Sequence, residues 1–413
     1  MRVLFVHQNF PGQYRHVAPA LAARPGYEVI GLGENPGDAL PRVQHLRYKP
    51  PQGAGKETHR YIRRFEAAVR RGQQTANAAL ALQKRGFVPD LICCHPGWGE
   101  GLYLRDVFPN ARTLYYFEFY YQSQGADVGF DPPGPVSIDD ACRVRTLNVN
   151  HLLALQVADW GQTPTRWQRS RFPDWAQQRL SVIHEGVDTQ LIRHDPEASF
   201  TLPGGRVLRL GDEVITFVAR GLEPYRGIHT FMRSLPEILR HRPKAQVVLV
   251  GGDEPHYGAK PAKGGTWKEL LLAELGDRLD LSRVHFPGKI PHPQLLALFS
   301  LSSAHVYLTY PFVLSWSMLE AMACRCLVIG SATAPVQEVI RDGENGLLVD
   351  FFSPPQLAET VVKALEQPAR YAPLREAARR TVVEQYDLKS VCLPRHLALI
   401  DTVAAGQVPK DRA

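Results

Sequence analysis

The sequence predicts an α/β protein built from two doubly wound, parallel-sheet domains of Rossmann-like type. Three observations carry this. Short apolar runs alternate with helix-like segments in both halves of the chain. A charged stretch containing Pro and Gly interrupts that rhythm over residues 190–212. And 413 residues are more than one ordinary core holds.

Taken in order, Arg2–His7 reads as the first strand, followed by the loop His7-Gln-Asn-Phe-Pro-Gly12-Gln-Tyr14 and a helix over 15–23. A glycine turn between strand and helix is a common opening of nucleotide-binding folds, but this is not G-x-G-x-x-G, so a dinucleotide reading is weak. His7, Asn9, Phe10, Gly12 and Gln13 fall at the carboxyl end of the strand, where open α/β sheets keep their ligands. They are either ligand-binding residues or an ordinary polar loop. Residues 27–32 are a second strand. The helical segment 57–85 carries His59, Arg60, Arg63, Arg64, Arg70 and Arg71, a face that suits an anionic membrane surface or a phosphate-bearing acceptor, or is simply solvated.

Strands follow at 90–95 and 113–118, ending in His95 and Glu118, two groups placed for chemistry at neighbouring strand ends. The aromatics around Tyr120 suit stacking on a ring, or core packing. Residues 122–138 read as a long loop or lid, 138–158 as one helix, 160–163 and 179–184 as strands. After the linker the rhythm restarts with strands at 214–219, 246–250, 284–286, 304–309 and 326–329. Helices come between them, and a Gly/Lys-rich excursion covers 251–265. The tail 373–404 is mostly helical, and 406–413 is expected to fray.

The stretch Ser315-Trp-Ser-Met-Leu-Glu320-Ala-Met-Ala323 stands out. It is a strand–turn–helix junction whose helix opens at Ser315, so unpaired N–H groups and the helix dipole suit an anion, with the carboxylate of Glu320 close behind for hydroxyls. A net charge of +7 fits an anionic partner, or merely a basic proteome. Six scattered cysteines without zinc-site spacing fit a reduced, cytoplasmic protein, and no run approaches the ~18 apolar residues of a membrane helix.

On these motifs the second half resembles retaining glycosyltransferases of family 4, which have the GT-B fold. The matching pieces are Phe217-Val-Ala-Arg220-Gly-Leu-Glu-Pro-Tyr-Arg226-Gly227, Leu319-Glu320-Ala-Met-Ala-Cys324, Pro335-Val-Gln-Glu338 and Asp342-Gly-Glu-Asn-Gly346-Leu-Leu-Val349, in the expected order. His184-Glu-Gly186-Val-Asp188 resembles the segment before the family's linker, and Glu118-Phe-Tyr-Tyr with Gly125-Ala-Asp-Val-Gly-Phe-Asp131 resembles a bacterial subgroup. The resemblance implies two domains facing a cleft: 1–195 for the acceptor, 205–385 for the nucleotide sugar, and a C-terminal helix within 386–413 returning to the first. Arg220 and Arg226 would hold the donor diphosphate, with Arg226 where lysine is usual. Glu320 would take the ribose hydroxyls. Leu314, Ser315, Trp316 and Ser317 would approach phosphate and sugar, and Gly288, Lys289 and Ile290 the base. The donor would be UDP- or GDP-linked, with no other cofactor and no metal.

The family's first glutamate, separated from Glu320 by seven residues, is Phe312 here, so recognition of the donor sugar must differ. A deoxy or modified sugar, a substitute such as Glu118 or Glu100, or loss of transfer each accounts for it. The catalytic expectation therefore rests on Arg220, Arg226, Glu118 and His95. The acceptor is a glycan, a lipid-linked glycan or a small molecule, and no nucleic acid is implied. The leading alternative is a non-catalytic GT-B protein that binds nucleotide as a partner or scaffold. An epimerase or phosphorylase is weaker, since neither an epimerase-like motif nor a lysine for pyridoxal phosphate is evident.

Overall fold

A computed structural model describes residues 1–410 and divides the chain into two units. Unit 1 comprises Met1–Gly129, Gly134–Gly186 and the chain from Lys389 on; unit 2 comprises Phe130–Pro133 and Val187–Leu388.

Unit 1 holds a parallel seven-stranded sheet. Its strands are β1 (Arg2–Val6), β2 (Glu28–Gly33), β3 (Gln44–Arg47), β4 (Leu91–Cys94), β5 (Arg112–Tyr116), β6 (Trp160–Thr163) and β7 (Leu180–Val182), in the order β3-β2-β1-β4-β5-β6-β7. Successive side chains point to opposite faces, so Leu4, Val6, Ile92 and Cys94 pack into one core and Val3, Phe5, Leu91 and Cys93 into the other. The adjacent Cys93 and Cys94 thus face away from each other, and five of the six cysteines are buried, Cys142 being the exposed one. The last helix, Leu393–Ala404, lays Leu399, Ile400 and Val403 on the second core.

Unit 2 begins with the antiparallel pair β8 (Ser199–Thr201) and β9 (Val207–Arg209). A parallel sheet follows: β10 (Val214–Gly221), β11 (Gln246–Gly252), β12 (Val284–Gly288), β13 (Ala304–Tyr307), β14 (Val328–Ser331) and β15 (Leu347–Val349), ordered β12-β11-β10-β13-β14-β15. In each parallel sheet the order reverses direction beside the first strand, between β1 and β4 and between β10 and β13. Such switch points leave a crevice at the carboxyl ends of the strands.

Four expectations are corrected. The first domain ends before 195, because Val187 accepts from Leu388 and donates to Tyr386, each at 2.8 Å, which stitches 187–195 into unit 2. The linker 190–212 is the β8–β9 pair, whose Phe200, Leu202 and Leu208 join a core with Val214 and Val248. The helix over 138–158 is two helices, Ile138–Leu147 and Val149–Val157. Asn148 lies between them, and its amide bonds both the N–H (2.8 Å) and the C=O (2.7 Å) of Tyr121. The basic helix starts at Arg63, and its face is largely neutralised inside unit 1. There Arg60 pairs with Asp139, Arg70 with Glu66 (2.6 Å) and Arg71 with Glu34 (2.7 Å), while Arg63 donates to the Thr58 and Lys56 carbonyls. The fraying expected for 406–413 lies partly outside the described residues. No helix among those described is long and apolar enough to cross a membrane.

Candidate functional site

In unit 2, β10 delivers Arg220 to its carboxyl end, and the chain then turns through Gly221–Gly227 into the helix Ile228–His241. Gly227 has φ +69°, and a Cβ there would come within 2.4 Å of Leu308 Cβ, so only glycine lets the helix start this close to the segment after β13. Arg226 is buried, and its Nη1 donates to Thr309 Oγ1 (2.8 Å) and the Val313 carbonyl (3.0 Å). It therefore holds the 309–313 segment in place, with Tyr257 over its guanidinium at 5.2 Å.

Arg220 is different. It is exposed, and no side chain among the described residues bonds or pairs with its guanidinium. Lys289 reaches the same place from the end of β12, where a Cβ on Gly252 would sit 2.9 Å from its Cε. His256 is the third base: burial lowers its pKa, and the positive charges of Arg220 and Lys289 lower it further. Three basic groups converge on the ends of β10 and β11, and the charges of Arg220 and Lys289 suit an anion there.

Sequence reasoning missed the clamp that builds this site. Glu223 is wholly buried, and its carboxylate accepts the backbone N–H groups of His256 (2.9 Å), Tyr257 (3.0 Å) and Gly258 (2.7 Å), fixing the 251–265 excursion. The available signal was the apolar setting Gly-Leu-Glu223-Pro-Tyr, unusual for a surface acid. Tyr257 and Tyr225 meet Phe312 edge-on, with ring centroids 5.1 and 5.5 Å away, and Tyr225 stacks on Tyr310 at 4.5 Å. The position of the missing glutamate is thus filled by an aromatic cluster.

The helix Trp316–Ala323 opens as expected: Ser315 Oγ accepts from Ser317 N (3.4 Å) and shares a bond with Ser317 Oγ (2.9 Å), while Ser315 N donates to Tyr307 Oη (2.7 Å). Glu320 is half-buried one turn in and bonds His292 Nε2 at 3.0 Å. Trp316 is exposed, Leu314 half-buried, and Gly288 and Ile290 flank Lys289. From the loop read as a lid, Phe130 lies within 5.1 Å of Tyr310, Phe351 and Phe352, and Asp131 accepts from Tyr310 Oη (2.7 Å) beside His229 (3.0 Å).

In unit 1 the switch point gathers a second polar cluster. Because Val6 pairs with Cys94 in register, His7 and His95 leave the sheet side by side, ring centroids 5.2 Å apart. His95 lies between Trp98 (4.4 Å) and Tyr116 (5.6 Å), and its Nε2 is 3.6 Å from Glu118. Gln13 Nε2 bonds Glu118 at 3.3 Å. Burial, helped by the neighbouring His95, lowers His7 to about 3. Gly12 (φ +47°) lies against the His7 ring, where a Cβ would come within 2.5 Å. Asn9 accepts from Asn35, Phe10 is wholly in the core beside His45, and Tyr120 packs on Phe172, so these three are engaged internally. Glu100 is also buried: it accepts from Tyr48 Oη (2.9 Å), and burial pushes its pKa up to about 7.

Two parallel-sheet units, each with a polar cluster at its switch point, define the class of GT-B glycosyltransferase-like proteins. Residues 25–192 match the model of the glycosyl transferase family 4 group, and residues 204–381 that of the glycosyl transferases group 1. The chain belongs to the family-4 glycosyltransferases of GT-B fold. Among curated relatives, it is 27% identical over 210 residues to the D-inositol 3-phosphate glycosyltransferase of Thermobispora bispora, covering 49% of this chain and 46% of the relative. It is 26% identical over 323 residues to the spore coat protein SA of Bacillus subtilis, covering 75% and 77%. The chain spans about half the length of the first of these relatives that it matches. The sucrose-phosphate synthase of Thermosynechococcus elongatus shares the fold with a TM-score of 0.74 at 20% identity, covering 98% of this chain and 100% of that one. Anabaena HepE, solved with UDP and glucose, gives 0.67 at 16%, covering 97% and 100%.

Proposed function

We propose that the chain is a retaining glycosyltransferase that moves a sugar from a nucleoside-diphosphate donor, UDP- or GDP-linked, to a hydroxyl of an acceptor. The observation that carries this is the exposed guanidinium of Arg220, unpartnered among the described residues, with Lys289 and His256 around it, at the switch point of unit 2. A leaving diphosphate gains negative charge as the glycosidic bond breaks, and fixed cations stabilise that change most. These bases take the part a metal ion plays elsewhere, so turnover is expected to survive a chelator. Glu320 and the helix start at Ser315 supply the ribose and phosphate contacts. A relative bearing the name of a GDP-mannose-dependent mannosyltransferase supports the donor class. The reaction belongs on the cytoplasmic side, in glycan assembly or small-molecule decoration. A lipid-linked acceptor would bring the protein to the inner membrane face.

Arg220→Ala is expected to lower turnover by about a hundredfold or more with the melting temperature unchanged. Full activity in that variant would refute the diphosphate assignment. The second reading, a nucleotide-binding partner without transfer, draws on Phe312 and its aromatic neighbours. It is favoured if UDP or GDP raises the melting temperature while no donor is turned over or hydrolysed.

A further inference from the structure

The segment Asp342-Gly-Glu-Asn-Gly346-Leu-Leu-Val349 and the two phenylalanines that follow it closely take no part in the transfer chemistry above. They nevertheless wall a cavity of about 540 Å³ in unit 2. It opens at the carboxyl ends of β14 and β15, with β13 lying between it and the strand that carries Arg220. Cavities that hold small molecules are about 300–1,000 Å³. Two kinds of group line this one. Phe130, Phe351 and Phe352 form one wall, with ring centroids 5.0 to 5.1 Å apart in each pair. Phe352 stays 41% exposed, apolar surface that a ligand over the ring would remove from water. Asp342 and Asp350 supply the charge. Each spends one oxygen on a turn: Asp342 accepts Leu348 N at 2.8 Å, and Asp350 accepts Phe352 N at 3.0 Å. Among the described residues neither carboxylate has a cationic partner, and no Lys, Arg or His lines the cavity. Arg341, next to Asp342 in the chain, pairs with Glu344 instead (3.6 Å). In a chain of net charge +7, this is an acidic and aromatic enclave.

We propose that this cavity binds a small organic cation, an alkylammonium or quaternary ammonium compound. The faces of aromatic rings are negative and attract the apolar shell of such a cation, while the carboxylates supply its counter-charge. An anion is repelled by both. A neutral molecule of the same shape would cover the rings but leave two carboxylates unanswered. The volume calls for a whole small molecule, since a lone lysine side chain from a partner would leave much of it unfilled. The site is separate from the Arg220 cluster and stands or falls independently of the transferase reading.

The test is saturation-transfer NMR and calorimetric titration of the full chain with choline, phenethylammonium and 3,3-dimethyl-1-butanol, the uncharged carbon analogue of choline. Wild type is expected to bind at least one ammonium, about tenfold or more tighter than the uncharged analogue. Phe352→Ala removes an exposed ring, and Asp342→Asn and Asp350→Asn keep an oxygen that can accept the turn N–H. Each should weaken ammonium binding about threefold or more while the melting temperature stays close to that of wild type. The double variant Asp342→Asn/Asp350→Asn should bind ammonium and analogue alike, whereas acids that merely hold turns would leave the preference for charge intact. No binding of either ammonium, equal affinity for the uncharged analogue in wild type, or unchanged affinity in the three single variants overturns the site. Tighter binding of Nα-acetyl-lysine methylamide than of the two free ammonium compounds also overturns it, by assigning the cavity to a partner's side chain.

Discussion

Acidification is expected to open unit 1 before unit 2. Burial keeps four histidines of unit 1 uncharged, lowering His7 and His184 to about 3 and His151 and His396 to about 4. In unit 2, His305 is lowered to about 3. A base whose folded pKa lies below its unfolded value of 6.5 stays neutral when folded while the unfolded chain takes up protons, so stability falls as pH drops below about 6.5. Between pH 7 and pH 5 each such histidine costs about 2 kcal/mol, whatever its folded value, provided that lies well under 5. Four of them cost unit 1 about 8 kcal/mol. Glu100 acts in the opposite sense. Its folded pKa of about 7 lies above its unfolded 4.5, so protonation in this window returns about 2 kcal/mol. The net loss is about 6 kcal/mol for unit 1 against about 2 for unit 2, where total stabilities are typically 5–15 kcal/mol. The half-buried His45 of unit 1, and His194, His256 and His285 of unit 2, are lowered as well and add smaller losses. Hydrogen exchange read by mass spectrometry at the two pH values, corrected for intrinsic rates, should show β1, β4 and β5 losing protection well before β10, β13 and β14. Equal loss in both sheets, or earlier loss in unit 2, would refute the reasoning.

Three substitutions in unit 2 test its construction. Glu223→Gln replaces a carboxylate that accepts three backbone N–H groups with an amide that brings its own donors. It should cost about 2 kcal/mol in urea denaturation and shrink the nucleotide-induced thermal shift; a variant unchanged on both counts would mean the excursion is held by something else. Gly227→Ala places a methyl against Leu308 at a positive φ and should cost roughly 2–3 kcal/mol by the same measurement. Phe312→Ala removes a buried ring between Tyr225 and Tyr257 and should cost about 3 kcal/mol; if stability is unchanged, the aromatic cluster is not part of the core.

The parallel sheets were legible because β1, β4, β10 and β13 are buried on both faces and read as unbroken apolar runs. The edge strand β3, Gln-His-Leu-Arg, carries no such pattern and went unread. The β8–β9 pair reads as a linker in the sequence because its three apolar anchors lie among charges and a Pro-Gly turn. Asn148 looked like an ordinary helix residue because its partner, Tyr121, is 27 residues away. At the site, Glu320 is legible locally because a helix start announces itself, whereas Arg220 and Lys289 stand out only through the family resemblance. The Glu223 clamp and the cancelled charges of Arg60 and Arg71 could not be read, because their partners come from distant parts of the chain.

The cysteines give this protein a built-in gauge. With one thiol at the surface and five enclosed, a bulky maleimide should add a single mass increment to the native chain, at Cys142, and six to the unfolded one. Intermediate counts then report which enclosure has been breached. Cys93 and Cys94 sample the two faces of one sheet, while Cys324 and Cys326 sample the other unit, so tryptic mapping of the label turns partial unfolding into a readable address.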